Sequence, residues 1–172
     1  MTYSLYIIGF PSLYGGAGAE VYHQIKVWKQ MGGEMHLIPT QKNAHGAGLY
    51  PEMVKLGVAV HEGYDWEAIP AGAPVISFCN EEFLAALPKI RKRTGRTVFV
   101  NCMTWLFGRE KKAMRRGDIS LFLYQNSNVM GNVMPRLRAL NPDPAIRFMT
   151  FRPYFDAADF PFAAGRSTDW FG

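Results

Sequence analysis

Seven short apolar runs recur along the chain, and most are separated by segments of helical character. The runs are "SLYIIGF" (4–10), "EMHLIPT" (34–40), "VAVHEG" (58–63), "APVISF" (73–78), "RTVFVNCMTW" (96–105), "ISLFLYQ" (119–125) and "AIRFMTF" (145–151). Several are continuously apolar rather than alternating, which is the pattern of strands buried on both faces. Strand, helix, strand in repeated order implies right-handed crossovers, hence a parallel sheet with helices on both sides. The predicted fold is therefore α/β: a Rossmann-like, doubly wound, mainly parallel sheet of about six to seven strands. Ligands of such sheets bind beyond the carboxyl ends of the strands.

The intervening segments carry helix signals. Val21, Ile25 and Trp28 fall at i, i+4 and i+7, which predicts a helix over about 19–31 closed by Gly32 and Gly33. "PEMVKLG" starts on Pro51, a residue suited to a first helical turn. Asn80 is a cap for "EEFLAALPKIRKR", with Glu81 and Glu82 favourably placed in its first turn, and Pro88 is expected to end or kink it. "REKKAMRRG" reads as a short basic helix or turn, and another helix is expected over about 128–140. The remainder, "FRPYFDAADFPFAAGRSTDWFG", has aromatics and prolines but no period. Such a tail either packs back on its own domain or leads on as a linker; the division expected is a domain over 1–156 and a linker, or the start of an absent second domain, over 157–172.

With 172 residues, 48% of them apolar and 19% charged, the chain suits one globular domain. No apolar run is long enough to span a bilayer, and "MTYSLYIIGF" has neither the basic start nor the cleavage site of a signal peptide. A cytoplasmic location, peripheral to the inner membrane face, is the expectation. Cys79 and Cys102 each close an apolar run and are expected as buried free thiols. Together with four scattered histidines they form no zinc signature, so no metal is expected. The net charge of +5 is concentrated: Lys89, Arg91, Lys92, Arg93, Arg96, Arg109, Lys111, Lys112, Arg115 and Arg116 are ten of the 19 Lys and Arg, with Glu110 the only acid among them. Solvated helix ends account for such a segment, and so does a positive face for an anionic membrane, DNA or a glycolipid.

Between the first run and the first helix stands "FPSLYGGAGAE". Glycines there allow positive φ and close backbone approach, and they bare the N–H groups of a helix start. Their spacing fits neither G-x-G-x-x-G nor a P-loop. Three stretches, "IIGFPSLYGGAGAEVYHQIKVWKQMGGEMHLI", "ISLFLYQNSNVMGNVM" and "FMTFRPYFDAADFPF", together resemble the N-terminal half of a GT-B-type glycosyltransferase, close to the retaining family 4 (group 1) enzymes.

That resemblance implies an acceptor-binding domain that works opposite a donor-binding C-terminal half. The family's E-x(7)-E carboxylates belong to that half and do not occur in this sequence. The intact enzyme would transfer a sugar from a nucleotide-sugar co-substrate to a hydroxyl acceptor (a glycan, glycolipid or modified nucleic acid), with no tightly bound cofactor. By likeness, Gly15, Gly16, Ala17 and Gly18 would meet the donor diphosphate, and Glu20, His45, Asn101 and Trp105 are candidate acceptor or sugar contacts. At Asn101 the family often carries histidine, so no catalytic residue is assigned. Glu20 also suits a helix start, Asn101 a loop cap and Trp105 core packing. The chain alone would be inactive, with apolar surface left for self-association. Two other classes remain open: a nucleic-acid-modifying transferase or basic nucleic-acid-binding module, and a flavodoxin-like non-enzymatic binding domain.

Overall fold

The computed structural model describes residues 3–12, 16–42 and 49–159. Seven strands form a single all-parallel sheet: β1 (Ser4–Gly9), β2 (Glu34–Pro39), β3 (Ala59–Val60), β4 (Val75–Phe78), β5 (Thr97–Asn101), β6 (Leu121–Tyr124) and β7 (Arg147–Thr150). Their spatial order is β3-β2-β1-β4-β5-β6-β7, so the winding reverses between β1 and β4. This is the Rossmann-like doubly wound arrangement, and the reversal opens a crevice at the carboxyl ends of those two strands.

Five helices cover the two faces. α1 (Gly16–Gln30) and α2 (Tyr50–Lys55) lie on one, where Val21, Ile25 and Met53 pack with Ile7, Leu37 and Ile76. On the other are α3 (Glu81–Ile90), α4 (Gly108–Arg116) and α5 (Ser127–Arg138), whose Phe83, Leu87, Met114 and Leu137 pack with Ile8, Phe99 and Phe122. With residues of opposite parity buried on opposite faces, β1 is apolar at almost every position.

The element boundaries differ from the sequence reading in informative places. α1 begins at Gly16 rather than near 19: Gly16 has φ +66 and turns the chain directly into the helix. Pro88 does not end α3, which runs on to Ile90; the helical bond lost at Pro88 is offset by the packing of Leu87 and Ile90, both fully buried. β3 is two residues long instead of six, although the His61 N–H still donates to the Leu37 carbonyl. β5 stops at Asn101, so Cys102–Trp105 is loop.

Beyond β7 the chain returns to α1. Phe151 meets Phe78 edge-on, with ring centroids 5.9 Å apart, and the Tyr154 carbonyl accepts from Gln24 Nε2. A 3-10 turn follows at Ala157–Asp159. Lys26 Nζ lies 2.6 Å from an Asp156 oxygen and 2.7 Å from one of Asp159. Among the described residues, no helix is long and apolar enough to cross a membrane.

Candidate functional site

The crevice predicted by the strand order contains a cavity of about 340 Å³. Ser12 from the end of β1, Ala17 and Gly18 from the start of α1, and Phe78, Cys79 and Asn80 from the end of β4 line it. The glycines have separable roles. A Cβ on Gly18 would lie 2.9 Å from the Phe10 carbonyl oxygen and 2.9 Å from Ser12 Cβ, so the absent side chain lets α1 sit against the β1 exit. The Gly18 carbonyl accepts from the Ser12 N–H there. Gly16 needs its left-handed backbone, and the space where a Cβ would point is open. α1 has no acidic residue in its first turn, which leaves the positive end of a 15-residue helix uncompensated by its own side chains. Gly15 and His45 lie outside the described residues.

Glu20 is one turn further on and only 7% exposed. It does not sit in solvent as a dipole partner. One oxygen accepts from Gln125 Nε2, and the other lies 3.1 Å from Cys102 Sγ. A single carboxylate thus ties α1 to the carboxyl ends of β5 and β6. Gln125 was not anticipated as a site residue; its only signal is its position as the first polar residue after "ISLFLY". A second cavity, about 230 Å³, opens beside this cluster between Asn101, Cys102, Thr104, Gln125 and Asn126. Asn126 caps α5 through the Asn128 and Val129 N–H groups, and α5 also lacks an acid in its first turn.

Asn101, 2% exposed, is engaged by its own loop. Its Nδ2 donates to the Trp105 carbonyl and to Glu110 Oε2, while its Oδ1 accepts from the Met103 N–H. These bonds use both donors and an acceptor, so loop capping describes its role. Glu110 is fully buried and also accepts from the Tyr124 hydroxyl and the Phe107 N–H. Burial pushes its carboxyl above the usual range, against the opposing pull of these donors. Trp105 is 56% exposed and stands on the loop these bonds hold, so it is not core.

The ten basic residues do not converge on the crevice. Arg109, at the start of α4, is near Glu81 and Glu82 of α3. Arg93 is bound to Glu67 and the Ile69 carbonyl, and Arg116 to Asp118. Lys89, Arg91 and Lys92 cluster at the end of α3, and Arg115 and Arg116 lie in the last turn of α4, with Lys112 exposed at its middle and Lys111 half-buried within it. Arg96 precedes β5. Both helices run back from the carboxyl edge, so these charges complement helix C-termini at the sheet's amino edge.

Cys79 and Cys102 are free, and they are half-buried rather than buried. No cluster of three or more metal-ligating side chains occurs among the described residues. What remains at the crevice is a set of backbone N–H groups, two capped or bare helix starts, a buried carboxylate and two thiols. The helix starts suit binding an anion and orienting a hydroxyl, and the thiols add a nucleophile. No family model matches the chain, and no curated protein matches it.

Proposed function

We propose that this chain is the acceptor-side domain of a GT-B-type glycosyltransferase, which transfers a sugar from a nucleotide-sugar to a hydroxyl acceptor in concert with a donor-binding domain. The observation that carries the reading is the start of α1: Gly16 and Gly18 bare a helix N-terminus, free of first-turn acids, at the crevice where the winding of the sheet reverses. In this role the N–H groups near Gly16, Ala17 and Gly18 stabilise the charge that grows on the departing nucleoside diphosphate. Glu20 holds α1 in place through Gln125 and Cys102 and does not itself touch the sugar. The exposed Trp105 ring offers a stacking surface at the same edge for the acceptor.

The test is amide chemical-shift mapping of the chain titrated with nucleoside diphosphates and nucleotide-sugars. Weak, millimolar binding is expected, with the largest shifts at Gly16, Ala17 and Gly18 and their loss in Gly16→Asp. Micromolar affinity for a nucleotide-sugar contradicts the half-enzyme reading, because nucleoside recognition would then reside in this domain. Shifts confined to the amino edge favour the second reading, a nucleic-acid- or membrane-binding face built on Lys89, Arg91, Lys92, Lys112 and Arg115. That face would show a steep loss of DNA binding with salt.

A further inference from the structure

Cys79 directly follows β4 and Cys102 directly follows β5, and the register of that pair, Phe78 opposite Val100, places Cys102 one residue beyond the level of Cys79 on the carboxyl edge. Cys79 has φ +44, a left-handed conformation that non-glycine residues rarely adopt. The strand ladder changes character there. The Cys79 N–H still donates to the Val100 carbonyl at 2.8 Å, but the Cys102 N–H donates to Cys79 Sγ, 2.7 Å away, in place of a carbonyl. The Cys102 thiol itself donates to Glu20 Oε2, 3.1 Å away. Cys79 lines the larger cavity and Cys102 the smaller, so a small molecule in either reaches the pair.

We propose that Cys79 and Cys102 are a reversible dithiol–disulfide site, oxidised by exchange with a low-molecular-weight disulfide of the glutathione class. Cys79 is the attacking sulfur. As a thiolate it accepts from the Cys102 N–H, and hydrogen bonding from Cys102 holds its thiol below the ordinary range. The neighbouring Cys79 first, then burial and Glu20, push the Cys102 thiol up.

In the first step the Cys79 thiolate attacks one sulfur of the external disulfide. A mixed disulfide forms on Cys79, and one thiolate leaves and takes up the proton that Cys79 gave. In the second step the Cys102 S–H gives its proton to Glu20 Oε2, to which it is already hydrogen-bonded. The Cys102 sulfur then attacks Cys79 Sγ, closing the intramolecular bond and expelling the second thiolate, which recovers the proton from Glu20. Two electrons pass from the protein dithiol to the external disulfide, and the reverse sequence restores the thiols.

The experiment incubates the reduced full chain with oxidised glutathione and follows thiol loss by alkylation and mass spectrometry with peptide mapping. Both thiols should disappear together into one Cys79–Cys102 crosslink that excess reduced glutathione reverses. Cys102→Ser should stop at one glutathione on Cys79. Cys79→Ser should be modified at Cys102 at least about tenfold more slowly than Cys79 in the companion variant. Glu20→Gln removes a charge that disfavours the Cys79 thiolate, so it should not slow the first step, and it should slow closure by on the order of a hundredfold, so the mixed disulfide accumulates. Thiols that stay free in the folded wild-type chain under excess oxidised glutathione overturn the proposal, as do crosslinks between chains or equal rates for the two single-cysteine variants. The wild-type result decides even where a variant does not fold.

Discussion

Glu110 is a carboxylate with no exposed surface, and its contacts account for it fully: Asn101 Nδ2 and the Phe107 N–H on one oxygen, the Tyr124 hydroxyl on the other. An amide can satisfy the same three groups, accepting the two N–H donors and donating to the phenol oxygen. Because burial raises the folded-state value of the carboxyl, its charged form is the costlier one in the folded protein. The contribution of Glu110 is therefore complete below the unfolded carboxylate range and is lost as pH rises through the raised folded value. Glu110→Gln is expected to raise Tm at neutral pH and to leave it unchanged near pH 4 (about the unfolded carboxylate value). Glu110→Ala should instead cost roughly 3 kcal/mol or more, since three buried donors are stranded. Denaturant melts of both variants at the two pH values check this. A loss for Gln equal to that for Ala would show that the charge itself is needed.

At the scale of elements, β1, β2 and the exit of β3 share a stack of rings. Tyr6 lies flat on His36, with centroids 4.3 Å apart, and His36 Nδ1 is 3.1 Å from His61 Nε2. Burial first and the neighbouring His61 second push His36 below the ordinary histidine value, while Glu34 pulls the other way. A depressed folded value means that the neutral ring is the stabilising form. Its contribution is whole above the unfolded value, about 6.5, and drains away as pH falls below it. Tm is expected to drop between about pH 7 and 5, and His36→Phe, which keeps the stack on Tyr6, should shrink that drop. An unchanged drop in the variant would assign the acid sensitivity elsewhere, for instance to His23, which burial also depresses. The elements themselves were largely legible. Parallel strands buried on both faces read as continuous apolar runs, and α3 announced its start through a side-chain cap at Asn80. The start of α1 was missed by three residues because backbone conformation at Gly16, not a side chain, begins it. The crevice was foreseeable from the winding; its contents were not. Glu20 meets Cys102 and Gln125 across 82 and 105 residues of sequence, and only strand register brings them together.

For the whole molecule, the seven parallel strands and the helical layers on both faces follow from local patterns repeated along the chain, but the spatial order of the strands and the return of the chain to α1 do not. Nothing periodic marks "FRPYFDAAD", whose hold depends on Lys26 meeting Asp156 and Asp159 and on the Asp156 N–H donating to His23 Nδ1. The two carboxylates raise the Lys26 ammonium above its ordinary value, and Lys26 in turn lowers that of Asp156. Lys26→Met should speed amide exchange over 154–159 while leaving β1 and β4 protected. Exchange unchanged in the variant would mean that the ring contacts of Phe151 and Phe155 and the hydrogen bonds from Gln24 and to His23 hold the segment without the ion pairs. The attachment also sets a load path. Tension on the chain at residue 159 passes first to α1, through Lys26 and His23, before it reaches β7. The helix under load is the one whose opening turn carries Gly16 and Gly18, so a pull or a twist at that end of the chain acts as a lever on the mouth of the crevice.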